Sequence, residues 1–306
     1  MKEIITDKVV WFDIVNPQEE ELQAIQNELK LPTFIIDELR IPSSRDKMKI
    51  SDQYAFIILF FPMWNEQTKT SEAEELDIIM DKKHLVTIRY SKKLEPLNEF
   101  LSRCEGSSKS ACAAMLGDTT YKTFYSIMKE LLEFSNRQLK HIEQKIVSLE
   151  DKIFSGPISN NLIFETLEVK RDLLDFKRIY LGLHSCLNSF EYRGTLLWGE
   201  EVKIYLFDLK YDNEKVWNSI EHFTNLLSSL ESSMYALIDN KINSLTRIYT
   251  ILSFITWPTL LIISWYQTNV KYLPFIGIPF DAYIVVLIAF IPSILIYIYL
   301  KRKKLL

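Results

Sequence analysis

Glycine is scarce in this chain, with 7 residues in 306, and histidine and cysteine are scarcer still, with 4 and 3. The sequence contains no glycine-rich phosphate loop, no nucleophile elbow and no paired catalytic acids in a supporting context. These absences exclude the enzyme classes that carry such signatures. The sequence therefore predicts a protein that is not an enzyme and that uses no organic cofactor.

The few cysteines and histidines do not form a metal-binding pattern. The cysteines are Cys104, Cys112 and Cys186, an odd number without CxxC spacing. They predict reduced thiols in a cytoplasmic environment. The histidines are scattered at His84, His141, His184 and His222. Without a Cys/His cluster there is little support for zinc chemistry, and each histidine is interpreted as a surface or packing residue.

Charge is divided unevenly along the chain. The charged residues after position 246 are Arg247, Lys271, Asp281, Lys301, Arg302, Lys303 and Lys304. They sum to +5, and because the whole chain carries −4, residues 1–246 carry −9. An acidic N-terminal part disfavours binding to nucleic acid. The C-terminal part differs in two ways, because it is mostly apolar and the charges at its ends are basic.

Two long uncharged runs, residues 248–266 and 282–300, contain 19 residues each. A helix needs about 20 residues to cross about 30 Å of hydrocarbon, and aromatic residues lie near the ends of both runs. The alternative is a pair of buried core helices, but such helices seldom avoid charge for so long. Pro258 and Pro292 each free a backbone carbonyl inside a span, which favours packing against neighbouring helices in an oligomer.

The distribution of Lys and Arg predicts the orientation of the spans. Basic residues precede the first run and follow the second, whereas the loop between the runs has only Lys271. The positive-inside rule then places both termini in the cytoplasm of a plasma-membrane protein. The first residues lack an apolar stretch of signal-peptide length, which fits a cytoplasmic N-terminal part.

The first 117 residues have a mixed pattern. Branched and aromatic residues predict strands at 9–14, 53–61, 76–80 and 84–89. Pro17 with its following acids, and the segment 32–39, predict helices. Alternating strands and helices indicate a compact α/β domain. The polar residues 66–75 predict a solvated loop between strands, and 107–114 predict a linker of small residues.

Glycine and proline nearly vanish after Tyr121, and three long helices are predicted. The first two cover about 120–153 and 160–190. The third runs from about residue 200 into the first span, or about 67 residues and roughly 100 Å at 1.5 Å per residue. Apolar residues recur along it at helical or near-heptad spacing. We therefore expect it to pack against copies of itself or the preceding helices.

The order of these segments resembles the CorA family of divalent cation channels. The matching segments are the start Trp11-Phe-Asp-Ile with Pro17 and acids 19–21, Leu31-Pro32 to Leu39, Tyr205-Leu-Phe-Asp208, Asn240-Lys-Ile-Asn243, Tyr249-Thr-Ile251, Pro258 and the basic end 301–306. The match from Tyr205 to Asn269 needs no gap. The resemblance as a whole covers nearly the whole chain.

The resemblance implies a funnel-shaped homopentamer in the membrane, with self-association and lipid as partners. The implied segments are a cytoplasmic α/β domain (1–117), antiparallel long helices (118–199), a stalk helix (200–246), a pore-lining span (247–266), an extracytoplasmic loop (267–281), a lipid-facing span (282–300) and a basic cytoplasmic tail (301–306).

Asn243 matches the family's ring of asparagines at the cytoplasmic pore mouth. Thr250, Ser253 and Trp257 follow on roughly the same helical face. Five copies of a neutral oxygen suit Mg²⁺, because they can hydrogen-bond the waters that this ion keeps. The alternative for Asn243 is a residue that joins two helices.

Asp37 and Asp208 match acids of neighbouring subunits that bind regulatory Mg²⁺ in the family. Two close carboxylates repel, so a cation between them would favour the closed assembly. One departure is that Ile36 stands where an acid usually precedes the first Asp. The alternative for each aspartate is a solvated helix residue.

The family signature Tyr-Gly-Met-Asn after the first span here reads Tyr266-Gln267-Thr268-Asn269. In the family this loop captures the hydrated cation, so Gln267, Thr268 and Asn269 are the candidate residues. Gln267 must avoid positive φ or accept strain, since glycine is absent. Lys271 stands where a carboxylate is common, and five lysines would repel a divalent ion.

Three functions remain open at this point. The first is Mg²⁺ influx, with Co²⁺ or Ni²⁺ as further substrates and gating by cytoplasmic Mg²⁺. The second is transport of zinc or another divalent cation by a related route. The third is a non-conducting paralogue of the family. In the first, Mg²⁺ is both the transported and the regulatory ion.

Overall fold

A computed structural model describes residues 1–6, 8–268 and 273–303. The chain divides into two compact units, Met1–Glu231 and Ser232–Leu306. One α-helix, α7 (Lys203–Tyr266), has residues in both units. The predicted residues Asn269 and Lys271 lie outside the described residues.

The first unit contains one six-stranded sheet in the order β1-β2-β6-β5-β4-β3. Its strands are β1 (Lys2–Ile5), β2 (Val10–Val15), β3 (Lys47–Ile50), β4 (Ala55–Asn65), β5 (Thr70–Met80) and β6 (His84–Arg89). Strands β2 and β6 are parallel, and the other pairs are antiparallel. Parallel neighbours require a crossover, which the intervening elements supply.

Helices cover both faces of this sheet. On one face, α1 (Glu19–Leu29) and α2 (Thr33–Leu39) pack their apolar residues against β2, β4, β5 and β6 in a single buried cluster. On the other face lie α3 (Glu95–Gly106), α4 (Lys109–Leu116), α5 (Thr120–Ser155) and α6 (Asn160–Trp198). Trp11 of β2 meets Phe100 of α3 at 5.9 Å between ring centroids. Burial on both faces explains why β4 is an almost continuous apolar run.

The three long helices are present. Helices α5 and α6 have 36 and 39 residues, and α7 has 64. A 3₁₀ turn (Glu200–Val202) precedes α7. Gly199 separates α6 from that turn with φ of 78°, a left-handed conformation that glycine adopts without strain. The second apolar run forms α8 (Asp281–Arg302).

The prediction of a solvated loop over residues 66–75 is wrong from residue 70 onward. Strand β5 already begins at Thr70, and only residues 66–69 form the turn. Ser71 is buried there because its backbone N–H and its hydroxyl both donate to Oδ1 of Asp172, at 3.0 and 2.9 Å. Asp172 lies on α6 and is itself buried. A distant carboxylate therefore satisfies polar residues that would otherwise favour solvent.

The prediction of a linker over residues 107–114 is also wrong, because α4 occupies most of this segment. Ser108 caps this helix by accepting a hydrogen bond from the backbone N–H of Ala111 at 3.3 Å. Cys112 and Leu116 are buried on one side. Three alanines favour the helix, so small residues here indicate propensity rather than a linker. The strands β1 and β3 and the helix α3 were not predicted.

Two carboxyl groups, those of Glu75 and Asp77, occupy neighbouring buried positions on the same face of β5. Asp77 is fully buried, and its Oδ2 accepts a hydrogen bond from the Tyr90 hydroxyl at 3.0 Å. Glu75, on the same face, accepts from the backbone N–H of Ser43. Burial first, and the charge of Glu75 second, raise the pKa of Asp77 well above its ordinary value. Burial also raises the pKa of Glu75.

We expect Asp77→Asn to stabilise the protein at neutral and alkaline pH. In the native protein, Asp77 holds its proton to higher pH than in the unfolded chain, so stability falls as pH rises above the unfolded pKa of about 4. Asparagine imitates the protonated acid, and the variant should lose that decline. Each tenfold change in proton affinity corresponds to about 1.4 kcal/mol. Melting temperatures from pH 4 to pH 9 measure it, with the exposed Asp52→Asn as control. Parallel curves for Asp77→Asn and the unmodified protein would contradict the expectation.

Candidate ion pathway and regulatory acids

The residues predicted to line the pore are all exposed on α7 in the single chain. Asn243, Thr250, Ser253 and Trp257 lie in the second unit, and Trp257 is 66% exposed. At about 100° per residue, positions 7, 10 and 14 after Asn243 fall within about 80° of it around the helix. We call these four residues the predicted pore face. Because all four are exposed in the single chain, they are available to line a shared axis.

The two hydroxyls of the predicted pore face have a common geometry. The hydroxyl of Thr250 donates to the carbonyl of Thr246 at 2.8 Å, and that of Ser253 donates to the carbonyl of Tyr249 at 2.8 Å. Each hydroxyl proton is therefore directed back along the helix. The oxygen lone pairs remain on the exposed side, where they can accept hydrogen bonds from the water shell of a cation.

The apolar helices are not buried in the fold of the chain. The most apolar window of the helix that ends at Tyr266 has a mean hydropathy of 1.6 and is 0% buried, and that of α8 has 2.5 and is 11% buried. Core helices of a soluble protein would be mostly buried. Both helices are long and apolar enough to cross a membrane, and they fit the two predicted spans.

Gln267 and Thr268, which follow the first span, are exposed beyond the end of α7. The backbone N–H of Gln267 donates to the carbonyl of Ile263 at 3.1 Å, which extends the helical pattern by one residue. Gln267 is not among the described residues with positive φ, so replacing glycine here causes no such strain. Asp281 begins α8, where its Oδ2 accepts from the backbone N–H of Gly277 at 3.3 Å.

Asp37 lies on the exposed side of α2. Its carboxylate is paired with Arg40 of the same helix, and Arg40 also bonds Glu19 at 2.7 Å. The hydrogen bond from Arg40 lowers the pKa of Glu19. Ile36 is 1% exposed and belongs to the core cluster under α2. An acid in its place would be buried among apolar residues, which explains why this chain has none there.

Asp208 lies on α7 in the first unit and has two partners on α5. Its Oδ2 accepts from the Tyr125 hydroxyl and from the Lys129 ammonium, both at 2.6 Å. Lys129 also pairs with Asp212 at 2.8 Å. The hydrogen bonds from Lys129 and Tyr125 lower the pKa of Asp208 below its ordinary value. The ammonium of Lys129 therefore already lies between two carboxylates.

This arrangement was not predicted from the sequence. Both pairs follow helical spacing, since Tyr125 and Lys129 are four residues apart on α5, as are Asp208 and Asp212 on α7. That spacing was the available signal, although it does not identify which helices meet. Among the described residues of a single chain, no group of three His, Cys, Asp or Glu residues is arranged to hold a metal ion. A cation at Asp208 would compete with Lys129.

A family model described as "CorA-like Mg2+ transporter protein" matches residues 6–302. The chain belongs to the CorA family. The resemblance noted in the sequence is thereby confirmed. Two curated relatives carry the name "Cobalt/magnesium transport protein CorA". The one from Thermotoga maritima is 20% identical over 299 residues, covering 96% of this chain and 82% of the relative. The one from Methanocaldococcus jannaschii is 22% identical over 301 residues, covering 97% and 91%.

The fold of this CorA-family chain is similar to a solved structure described as the complete structure of the CorA magnesium transporter from Methanocaldococcus jannaschii. The TM-score is 0.79 at 19% sequence identity, and the match covers 99% of this chain and 93% of that one. The predicted fold class, an α/β domain followed by a long helix and two C-terminal apolar helices, is confirmed.

Proposed function

We propose that this CorA-family protein is a divalent cation channel that admits Mg²⁺, with Co²⁺ or Ni²⁺ as further substrates. The observation that carries the proposal is the predicted pore face on an unburied apolar helix, in a chain that matches the family over residues 6–302. The ion crosses as a substrate, and no enzymatic step is involved.

The proposed assembly is a homopentamer in the plasma membrane with both termini in the cytoplasm. Five copies of α7 surround one axis, so each residue of the predicted pore face becomes a ring of five. The amide of Asn243 and the outward lone pairs of Thr250 and Ser253 then accept hydrogen bonds from the hydration shell of the ion. A hydrated ion suits this lining, because Mg²⁺ dehydrates reluctantly. Entry is driven by the membrane potential, which is worth about 4.6 kcal/mol per 100 mV for a doubly charged ion.

Cytoplasmic Mg²⁺ is proposed to close the channel through Asp37 and Asp208 of neighbouring subunits. Both acids have cationic partners in their own chain, Arg40 and Lys129. Binding of Mg²⁺ at this interface must therefore displace or rearrange those partners. We infer that closure needs a higher Mg²⁺ concentration than it would with unpaired carboxylates.

Uptake into proteoliposomes tests the proposed function. Purified pentamers are reconstituted, an inside-negative potential is imposed, and Mg²⁺, Co²⁺, Ni²⁺ and Zn²⁺ are compared. We expect saturable Mg²⁺ entry, with Co²⁺ or Ni²⁺ competing. Entry of Zn²⁺ alone would favour the zinc-transport alternative. No flux of any of the four ions would reject the channel and favour a non-conducting member of the family.

The altered signature and Lys271 favour the non-conducting alternative most directly, since five lysines at the outer mouth, where the family resemblance implies this loop lies, would repel a divalent ion. We expect Lys271→Glu to raise the initial rate of Mg²⁺ uptake about tenfold or more at low ionic strength, where exposed charges are least screened. Lys271→Gln, which removes the charge without reversing it, should give an intermediate rate. Equal rates for all three proteins would show that Lys271 is not a barrier.

A further inference from the structure

Small and hydroxyl-bearing residues make hydrogen-bonded contacts between α7 and α8 in the second unit. Ala289 and Ser293 are the buried residues of α8, at 0% and 5% exposure, and they are one helical turn apart. Thr259 of α7 faces them and is half-buried. Small residues at this spacing let two helix backbones approach closely.

Two hydroxyl groups join the helices at this point. Oγ of Ser293 lies 2.6 Å from Oγ1 of Thr259 and donates to the backbone carbonyl of Ile255. Oγ1 of Thr259 is also 3.1 Å from the carbonyl of Ala289. There are only two hydroxyl protons. With that of Ser293 on the Ile255 carbonyl, that of Thr259 is shared between the Ser293 oxygen and the Ala289 carbonyl.

Each of the two hydroxyl residues directly follows a proline inside its helix, Pro258 in α7 and Pro292 in α8. A proline has no N–H and its ring presses on the carbonyl four residues earlier, so it weakens the helix there and permits a kink. The hydroxyl contacts thus join α7 to α8 where both backbones have lost a hydrogen bond. A polar residue in hydrocarbon needs a partner, and here each residue supplies one to the other helix.

We infer that Thr259 and Ser293 form a hydroxyl clasp that fixes α8 against α7 and sets the course of α7 beyond Pro258. The inference rests on the proposed function in one respect, that α7 lines the pore. The two hydroxyls are positioning residues: they lie beside the carbonyls of the other helix, and they act on the ion only through the shape of α7.

A disulfide tests the pairing without requiring transport. In a chain whose native cysteines are replaced by alanine, Thr259→Cys with Ser293→Cys should form a disulfide within one chain when vesicles are oxidised, because the γ atoms are 2.6 Å apart. A shift in the mobility of the denatured monomer reports it. The matched control combines Ser264→Cys with Ser293→Cys. Ser264 is an exposed hydroxyl residue of α7, so this pair should not cross-link. No cross-link in the first pair, or one found only between chains, would overturn the clasp.

Measurements of Mg²⁺ uptake and of melting temperature test whether the clasp holds α7 in the course that transport needs. Thr259→Val and Ser293→Ala should each lower the rate of Mg²⁺ uptake about threefold, and by no more than about twentyfold, the range that hydrogen bonds between membrane helices provide. The double variant should be no worse than the poorer single variant, and Thr259→Ser should restore uptake and melting temperature together. Additive losses, or a Thr259→Ser variant as impaired as Thr259→Val, would reject the clasp. If the unmodified protein transports nothing, the proposed function fails, and the disulfide and melting still decide the clasp.

Discussion

Asn243→Ala is expected to reduce Mg²⁺ influx about tenfold or more and to weaken discrimination against monovalent cations. The substitution removes five amide oxygens from the proposed ring at the cytoplasmic mouth. A hydrogen bond of the kind an amide oxygen accepts from a hydration water contributes about 0.5–1.5 kcal/mol, so the loss of one or two such bonds per ion accounts for about a tenfold change. Asn243 is exposed in the single chain, and its removal disrupts no core.

Uptake of Mg²⁺ and of a monovalent cation into proteoliposomes measures this effect. Ser244→Ala is the matched control, because it shortens the adjacent exposed polar residue at about 100° around the helix from Asn243. We expect the control to behave like the unmodified protein. Unchanged Mg²⁺ influx in Asn243→Ala, with correctly assembled protein, would move the selectivity site away from this residue and support its role in joining helices.

Lys129→Met is expected to make the channel more sensitive to cytoplasmic Mg²⁺. The ammonium of Lys129 contacts Asp208 at 2.6 Å and Asp212 at 2.8 Å. Without it, two carboxylates four residues apart on α7 lose their shared cation, and a divalent ion becomes their natural partner. Unit charges about 4 Å apart interact by about 1 kcal/mol in water and about 4 kcal/mol near a protein surface. Because these side chains are about a third exposed on average, we expect an effect near the lower limit, about a fivefold fall in the half-inhibiting Mg²⁺ concentration.

Inhibition of uptake by Mg²⁺ loaded inside the vesicles measures the shift. The matched control is Lys122→Met on the same helix, which removes an equivalent ion pair with Asp118 at 2.6 Å. Asp208→Asn should act in the opposite direction and weaken inhibition, also when combined with Lys129→Met. If the same internal Mg²⁺ concentration half-inhibits the Lys129→Met and Lys122→Met variants, the regulatory site lies elsewhere.

Much of this fold was predictable because its signals are local. The uncharged runs and the helical spacing of apolar residues on α7 identify helices from consecutive residues alone. The strands at 53–61 and 84–89 follow from branched and aromatic runs that are buried on both faces. Residue spacing around α7 also predicts which side chains share a face, and the predicted pore face stays a prediction, because this part of α7 is exposed on all its sides in the single chain.

The failures involve partners that are distant in sequence. Strand β5 begins in a polar segment because Ser71 meets Asp172, 101 positions away. Lys129 reaches Asp208 across 79 positions, and Thr259 reaches Ser293 across 34. Each of these contacts depends on which helices and strands lie side by side, and one sequence does not specify that. Ile36 is a related case. It stands where the family usually has an acid, and its burial in the cluster under α2, which the sequence does not show, is the reason.

The voltage dependence of Mg²⁺ entry tests the central claim most directly. Pentamers in vesicles with a Mg²⁺-sensitive dye inside are exposed to equal external Mg²⁺ while the potential is set by a potassium gradient and an ionophore. A passive channel for a doubly charged ion predicts that the initial rate rises steeply as the interior becomes negative, because each 100 mV contributes about 4.6 kcal/mol, and that Asn243→Ala removes most of that rise. A Mg²⁺ signal no larger than that of empty vesicles at every potential would contradict the account.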